Sequence, residues 1–141
     1  LFIHSVKIAQ QIHIRNYLGT DLYNKISADI IANSLSGTYL TLVNTYIQPM
    51  LIHFAMIDYL PHANYKIKQG GVFKHSSETA QIATKEEVDY LVAKQREYAE
   101  YYTTRFIDFM AFNQSSYPEY TSNTNDDIHP DRDSLFNGWV L

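Results

Sequence analysis

The sequence predicts a mainly α protein: a bundle of four to five helices carrying a β-hairpin projection and an extended C-terminal arm. Three observations carry that reading. Apolar residues recur at helical spacing over most of residues 1–113. Residues 64–75 alternate instead, around the pair Gly70-Gly71. Residues 114–141 show no period, only Ser, Asn, Asp, Pro and Tyr ahead of an apolar tip, Phe136-Asn137-Gly138-Trp139-Val140-Leu141.

Residues 1–18 read as a helix with two apolar stripes, Phe2, Ile3, Val6, Ala9, Ile14 and Tyr17 on one side and Leu1, Ile8 and Ile12 on another. A helix apolar on two sides is buried on two sides, in a larger core or between subunits. Residue 1 is expected to fall inside a helix whose start precedes it. Gly19 stops this helix and Thr20 is placed to cap the next, over 21–33, with Leu22, Tyr23, Ile26 and Ile30 at spacings of three and four. The cluster Asn33-Ser34-Leu35-Ser36-Gly37 ends it. A third helical region covers 38–60, with a kink or a break expected at Pro49 and a stop at Pro61. The hairpin over 64–75 leaves strand edges that need a partner. The last helix, 85–113, opens with a capping box, Thr84 and Glu87, and is apolar almost all round in its second half.

Composition bounds the function. The chain has 141 residues, the size of one domain, with 45% hydrophobic and 18% charged residues, enough for a core and too little charge for a disordered protein. Lys+Arg number 11 against 15 Asp+Glu, a net charge of -4, which argues against gripping nucleic acid through overall charge. Absence of cysteine excludes disulfides, thiolate zinc sites and thiol catalysis. The longest apolar run, Met50 to Ile57, is cut by His53 and closed by Asp58, so no membrane span is expected. Twelve Tyr against seven Phe and one Trp suit surfaces wet in one state and buried in another.

Chemistry is sparse. The six His residues form no pair at metal-ligating spacing, so no metal, cofactor or catalytic residue is expected and the chain is read as no enzyme. His53 is expected to be a satisfied core or interface histidine, since Asp58 stands at i+5. Residues 125–133 fail the calcium-loop template, lacking its Gly and closing Glu. Lys66, Lys68 and Lys74 flank the hairpin among aromatics, a pattern that serves single-strand binding or keeps a strand edge soluble.

The run Tyr17-Leu18-Gly19-Thr20-Asp21-Leu22-Tyr23-Asn24-Lys25-Ile26 resembles the helix–turn–helix opening of head–tail connector (adaptor, or neck ring) proteins of tailed phages. Tyr46-Ile47-Gln48-Pro49, Asn64-Tyr65-Lys66 with Gly71-Val72 and Ser76-Ser77-Glu78, and Pro118-Glu119-Tyr120 are similar to the branch in phages of Bacteroidetes, crAss-like phages included. The likeness runs over roughly 3–141. It implies a structural virion protein without catalytic activity: a ring, typically of twelve copies, below the portal, joining capsid to tail and extending the DNA channel. Residues 1–113 would be the helical connector domain and 114–141 its arm. Partners implied are other copies, the portal protein and the next tail or neck protein. DNA would pass without specific binding, and no membrane is involved. The place implied is the virion's head–tail junction, and the host cytoplasm during assembly.

Interface residues expected on this reading are Tyr65, Ile67, Gly70, Gly71, Val72 and Phe73 in the hairpin, and Tyr117, Tyr120, Phe136, Trp139 and Leu141 in an arm ordered only against another subunit. Two other classes stay open: a small helical enzyme or ligand-binding protein with a pocket near His53, and a nucleic-acid-binding module acting through the Lys-flanked hairpin.

Overall fold

The computed structural model describes residues 2–69, 84–124 and 127–133. The described residues are mainly helical. Helix α1 (Phe2–Ala9) continues through a π-helical turn, Gln10–Ile14, into α2 (Arg15–Leu18). Helix α3 (Thr20–Ile31) follows directly. Then α4 (Gly37–Leu42) runs through a second π-helical turn, Val43–Ile47, into α5 (Gln48–Gln69). Helix α6 (Lys85–Asn113) is the longest, and a 3-10 turn, Gln114–Ser116, leads to α7 (Pro118–Ser122).

Helix α5 is the centre: it packs on α1 through one side and on α6 through another. Fully buried Leu18, Leu22, Leu42, Met50, Phe106, Met110 and Tyr120 form the core between these elements. The capping box at the start of α6 is present, Glu87 N–H donating to Thr84 Oγ1 at 3.1 Å and Thr84 N–H to the Glu87 carboxylate at 3.3 Å. Asn33, at φ 55°, ends α3, with Ser34 N–H reaching back to Asp29 O at 2.8 Å.

Several sequence expectations are corrected. Residues 64–69 continue α5 and are not the first strand of a hairpin; Gly70, Gly71, Val72 and Phe73 lie outside the described residues. Extending a helix costs no new nucleus, so a short alternating run adjoining one is drawn into it. For the same reason α5 passes through Pro61, where packing on two neighbours offsets the lost hydrogen bond. Pro49 makes no break either. Gln48 N–H bonds back to Val43 O, the wide i to i+5 turn, and the next residue is the one with no N–H to place.

Thr20 is not the cap of α3. Gly19 holds that place at φ 78° and ψ 160°, with no capping side chain. The stretch Gly37–Ala63 is also long and apolar enough, by length and composition, to cross a membrane, contrary to the expectation drawn from uninterrupted runs. Here it is the central helix of the bundle, with 28% of its most apolar window buried.

The arm is the largest correction. Within 114–133 the described residues fold back on their own chain. Tyr117 and Tyr120, expected to meet another subunit, are each 2% exposed in the core. Tyr117 stacks edge-on against Tyr39 and its hydroxyl donates to Thr38 O at 3.1 Å, while Tyr120 meets Phe106 edge-on. Residues 127–133 then form a strap over the corner between α2 and α3. Thr20 N–H donates to Ile128 O and Ile128 N–H to Thr20 Oγ1, both at 3.0 Å, and Asp131 N–H donates to Asn16 O at 2.9 Å. Arg15 pairs with Asp127.

A Cβ on Gly19 would stand 2.7 Å from Cδ and Cγ of Pro130, and the positive φ adds strain of its own. Gly19→Ala is therefore expected to destabilise the fold by about 1–3 kcal/mol, read as a lowered thermal midpoint. An unchanged midpoint would show that the strap does not pack on this corner in solution.

Candidate functional site

Two small polar clusters stand beside α5, one on each side. On the α1 side, buried Ser5 donates to Asp58 Oδ2 at 2.8 Å, and His62 Nε2 stands 3.9 Å from Asp58 Oδ1. His13 stacks on Phe54 with ring centroids 4.1 Å apart and planes 8° from parallel. His13, Phe54, Asp58 and His62 line a shallow pocket of about 270 Å³ that also includes Ile8, Ile12 and Pro61. Burial lowers the His13 pKa from its ordinary value, and the Arg96 charge lowers it further, against a smaller opposing pull from Asp58.

On the α6 side, His53 Nδ1–H donates to Gln95 Oε1 at 2.7 Å, and its ring lies parallel to Tyr102 at 5.4 Å. Tyr98 tilts over it at 5.3 Å. The structure thus separates His53 from Asp58, because the two residues face different neighbours of α5. A hydrolytic or proton-transfer pair would need them, or substitutes, within hydrogen-bond reach of one another. Ser5, Asp58 and His62 do not make a nucleophilic triad, since the serine hydroxyl donates to the carboxylate rather than to an imidazole. Among the described residues no group of three or more His, Asp and Glu side chains could hold a metal ion.

Apolar surface is the more distinctive feature. Three patches stand out, and each follows from helical register. The outward face of α6 presents Tyr90, Leu91, Tyr98 and Tyr101, all exposed, with Lys94 over the Tyr90 ring and Arg105 over the Tyr101 ring, each at 5.8 Å. Phe112 extends the same face at 88% exposure. On α1 and its π turn Ile3 and Ile12 are exposed, Ile12 at the mouth of the pocket against α5. Between α3, α5 and the two π-helical turns lies a groove of about 460 Å³, its walls including Ile26, Val43, Ile47 and Leu51 and its lip Ile30 and Ile31. Ile31 is 87% exposed. No charged side chain lines this groove.

Of the interface residues expected from sequence, Tyr65 and Ile67 fall in the last turns of α5, and Tyr117 and Tyr120 are core residues of their own chain. Gly70, Gly71, Val72, Phe73, Phe136, Trp139 and Leu141 lie outside the described residues. The outward residues of α6 were missed individually. The all-round apolarity of that helix was the signal that could have found them.

A family model, described as a family of unknown function (DUF6712), matches residues 14–129. That span takes in the α2–α3 corner, nearly all of the groove's walls and the first part of the strap, residues 127–129. No curated protein and no solved structure matches the chain.

The His13 environment gives a pH dependence with a definite sign. Its folded pKa lies below the unfolded value of about 6.5, so its contribution is complete above that value and is lost as pH falls through it. The midpoint of thermal unfolding should fall between about pH 7.5 and pH 5.5, and less steeply in His13→Phe, which keeps a ring on Phe54. Equal slopes in the two proteins would remove His13 from the account.

Proposed function

We propose that this chain, which belongs to the family of unknown function DUF6712, is a non-enzymatic structural subunit that joins copies of itself head to tail into a closed ring. The ring stands at the head–tail junction of a tailed phage, below the portal, where it joins capsid to tail and extends the DNA channel. The single observation that carries the assembly reading is that large apolar side chains are left in water on two separate outward faces, one on α1 and one on α6. A head-to-tail contact uses two different patches of one surface, and it closes into a ring when the rotation between copies permits. Tyr, the commonest residue on the α6 face, and Arg, present there as Arg105, are also residue types that anchor interfaces.

The phage setting rests on the sequence resemblance described above, together with twelve copies, the portal and the next neck protein as neighbours. The family match adds no function of its own. A net charge of -4 suits a channel through which DNA slides without being held. The host cytoplasm is the place of assembly on this reading.

A pair of variants tests the head-to-tail contact. Ile12→Asp spoils one face and Tyr101→Asp the other, each at an exposed position that the fold tolerates. Each variant alone should associate about 30-fold or more weakly than the wild type, because an interface anchor is worth about 2 kcal/mol or more. Mixed in equal amounts, the two should form pairs and nothing larger, since each retains the face the other lacks. Wild-type protein that stays monomeric by light scattering, with and without portal protein, would sink the proposal.

A further inference from the structure

The outward face of α6 is complementary to its own reverse. From Leu91 to Phe112 its outward positions step by three and four in turn, the spacing of a straight seam that a second helix can follow. Tyr101 is the midpoint. Lys94 and Asp108 stand seven residues to either side of it, Glu97 and Arg105 four residues, and Tyr90 and Phe112 eleven. Each of these pairs joins a cation to an anion or one aromatic ring to another.

The side chains stand ready for that pairing. Arg105 lies over the Tyr101 ring and donates to its hydroxyl at 3.1 Å, which holds the guanidinium on the seam. Neither Arg105 nor Asp108 has an ion-pair partner among the described residues. Lys94 meets Glu97 of its own helix at 3.4 Å, and both side chains stay largely in water. At the far end of the seam from Phe112 lies an open pocket of about 420 Å³, lined by Glu86, Glu87, Tyr90 and Leu91. A parallel pairing would set Lys94 on Lys94, Arg105 on Arg105 and Asp108 on Asp108, all like charges.

We propose that the α6 face docks on the same face of a second copy, antiparallel, about a two-fold axis at Tyr101. Every contact then occurs twice, as in any two-fold interface. Lys94 meets Asp108, Glu97 meets Arg105, and Phe112 enters the pocket beside Tyr90 and Leu91. A seam one helix wide lies at the small end of specific interfaces, so this contact is the weaker one beside the head-to-tail contact. Both need the α6 face, and a copy paired this way cannot offer that face to a ring. The pair is thus a holding form of unassembled chains. That role rests on the ring reading; the contact itself does not.

Ile12→Asp, which blocks head-to-tail growth, isolates the contact, and Ile3→Asp, at a position 70% exposed, is a second such background. Sedimentation equilibrium of either should show monomer and dimer and nothing larger. Lys94→Asp or Asp108→Lys, added to that background, should weaken the dimer about tenfold or more, since each sets like charges together twice. Both substitutions in one chain, or the two single variants mixed in equal amounts, should restore the dimer to within about threefold, because opposite charges face one another again. Monomer at every concentration in both backgrounds would overturn the proposal. So would a dimer that the single variants leave unchanged, or one that the paired exchange fails to restore. A wild type that itself stops at a dimer with this charge dependence would support the contact while telling against the ring.

Discussion

The N-terminus of α3 has no capping side chain of its own, and much of the structure follows from how its donors are satisfied. Gly19 occupies the cap position, and a helix start leaves several N–H groups without partners. A buried donor left unpaired costs about 1–3 kcal/mol. Here the partners come from more than 100 residues away. Asn123 Oδ1 accepts from Asp21 N–H at 3.2 Å, Ile128 O accepts from Thr20 N–H, and Asp21 in turn accepts from Thr124 N–H at 2.7 Å. This is a capping box made by two distant segments. Asn123 adopts φ 29° to make it, and its Nδ2 also donates to Ile128 O at 3.1 Å.

Fixing the strap at that corner places everything between it and α6. The chain must return from the end of α6 to the start of α3, and the 3-10 turn with α7 provides the path. That path buries Tyr117 and Tyr120 against Tyr39 and Phe106. It also sets Glu119 against Tyr39, whose hydroxyl donates to it at 2.5 Å; burial, reinforced by that bond, holds the phenol well above its ordinary pKa. Ring burial alone does not account for the order of the segment after α6, which the sequence reading expected only against another subunit. The missing contribution is the orphan donors of α3, which are satisfied only when the strap is in place.

Much of the helical framework was legible in the residues. The stop at Gly19, the turn cluster after α3 and the capping box of α6 are local chemistry, and each stands where its residues put it. What was not legible is nonlocal. Nothing near Asn123 in sequence indicates that its side chain caps a helix at residue 21, and nothing in Asn64 to Gln69 distinguishes a strand from the end of a helix already under way. The candidate surface was legible only as a property of whole helices: α1 and α6 carry more apolar circumference than one side can bury, but which residues stay in water depends on where α5 lies.

The two π turns show how one feature of spacing connects these points. Along the first helix the buried stripe runs Ser5, Ala9, Ile14, Leu18, in steps of four, five and four, with Tyr17 buried beside its end. Along the central helix Leu42 is followed by Ile47, again a step of five, before Met50 and Phe54. A step of five in a strict α-helix would carry the side chain about 140° round the axis, away from the core, at 3.6 residues per turn. One widened turn absorbs the extra residue and returns the later side chains to the buried face. Among the described residues, the apolar positions of 2–18 thus form one buried stripe with a residue inserted, with Phe2, Ile3 and Ile12 left outside it. Both insertions fall beside the same uncharged groove, with Gln10 and Ile14 of one turn and Val43, Asn44 and Ile47 of the other among its walls. Deleting either extra residue would restore a regular helix and rotate one wall of the groove away from the other. The groove therefore exists because the register is broken twice.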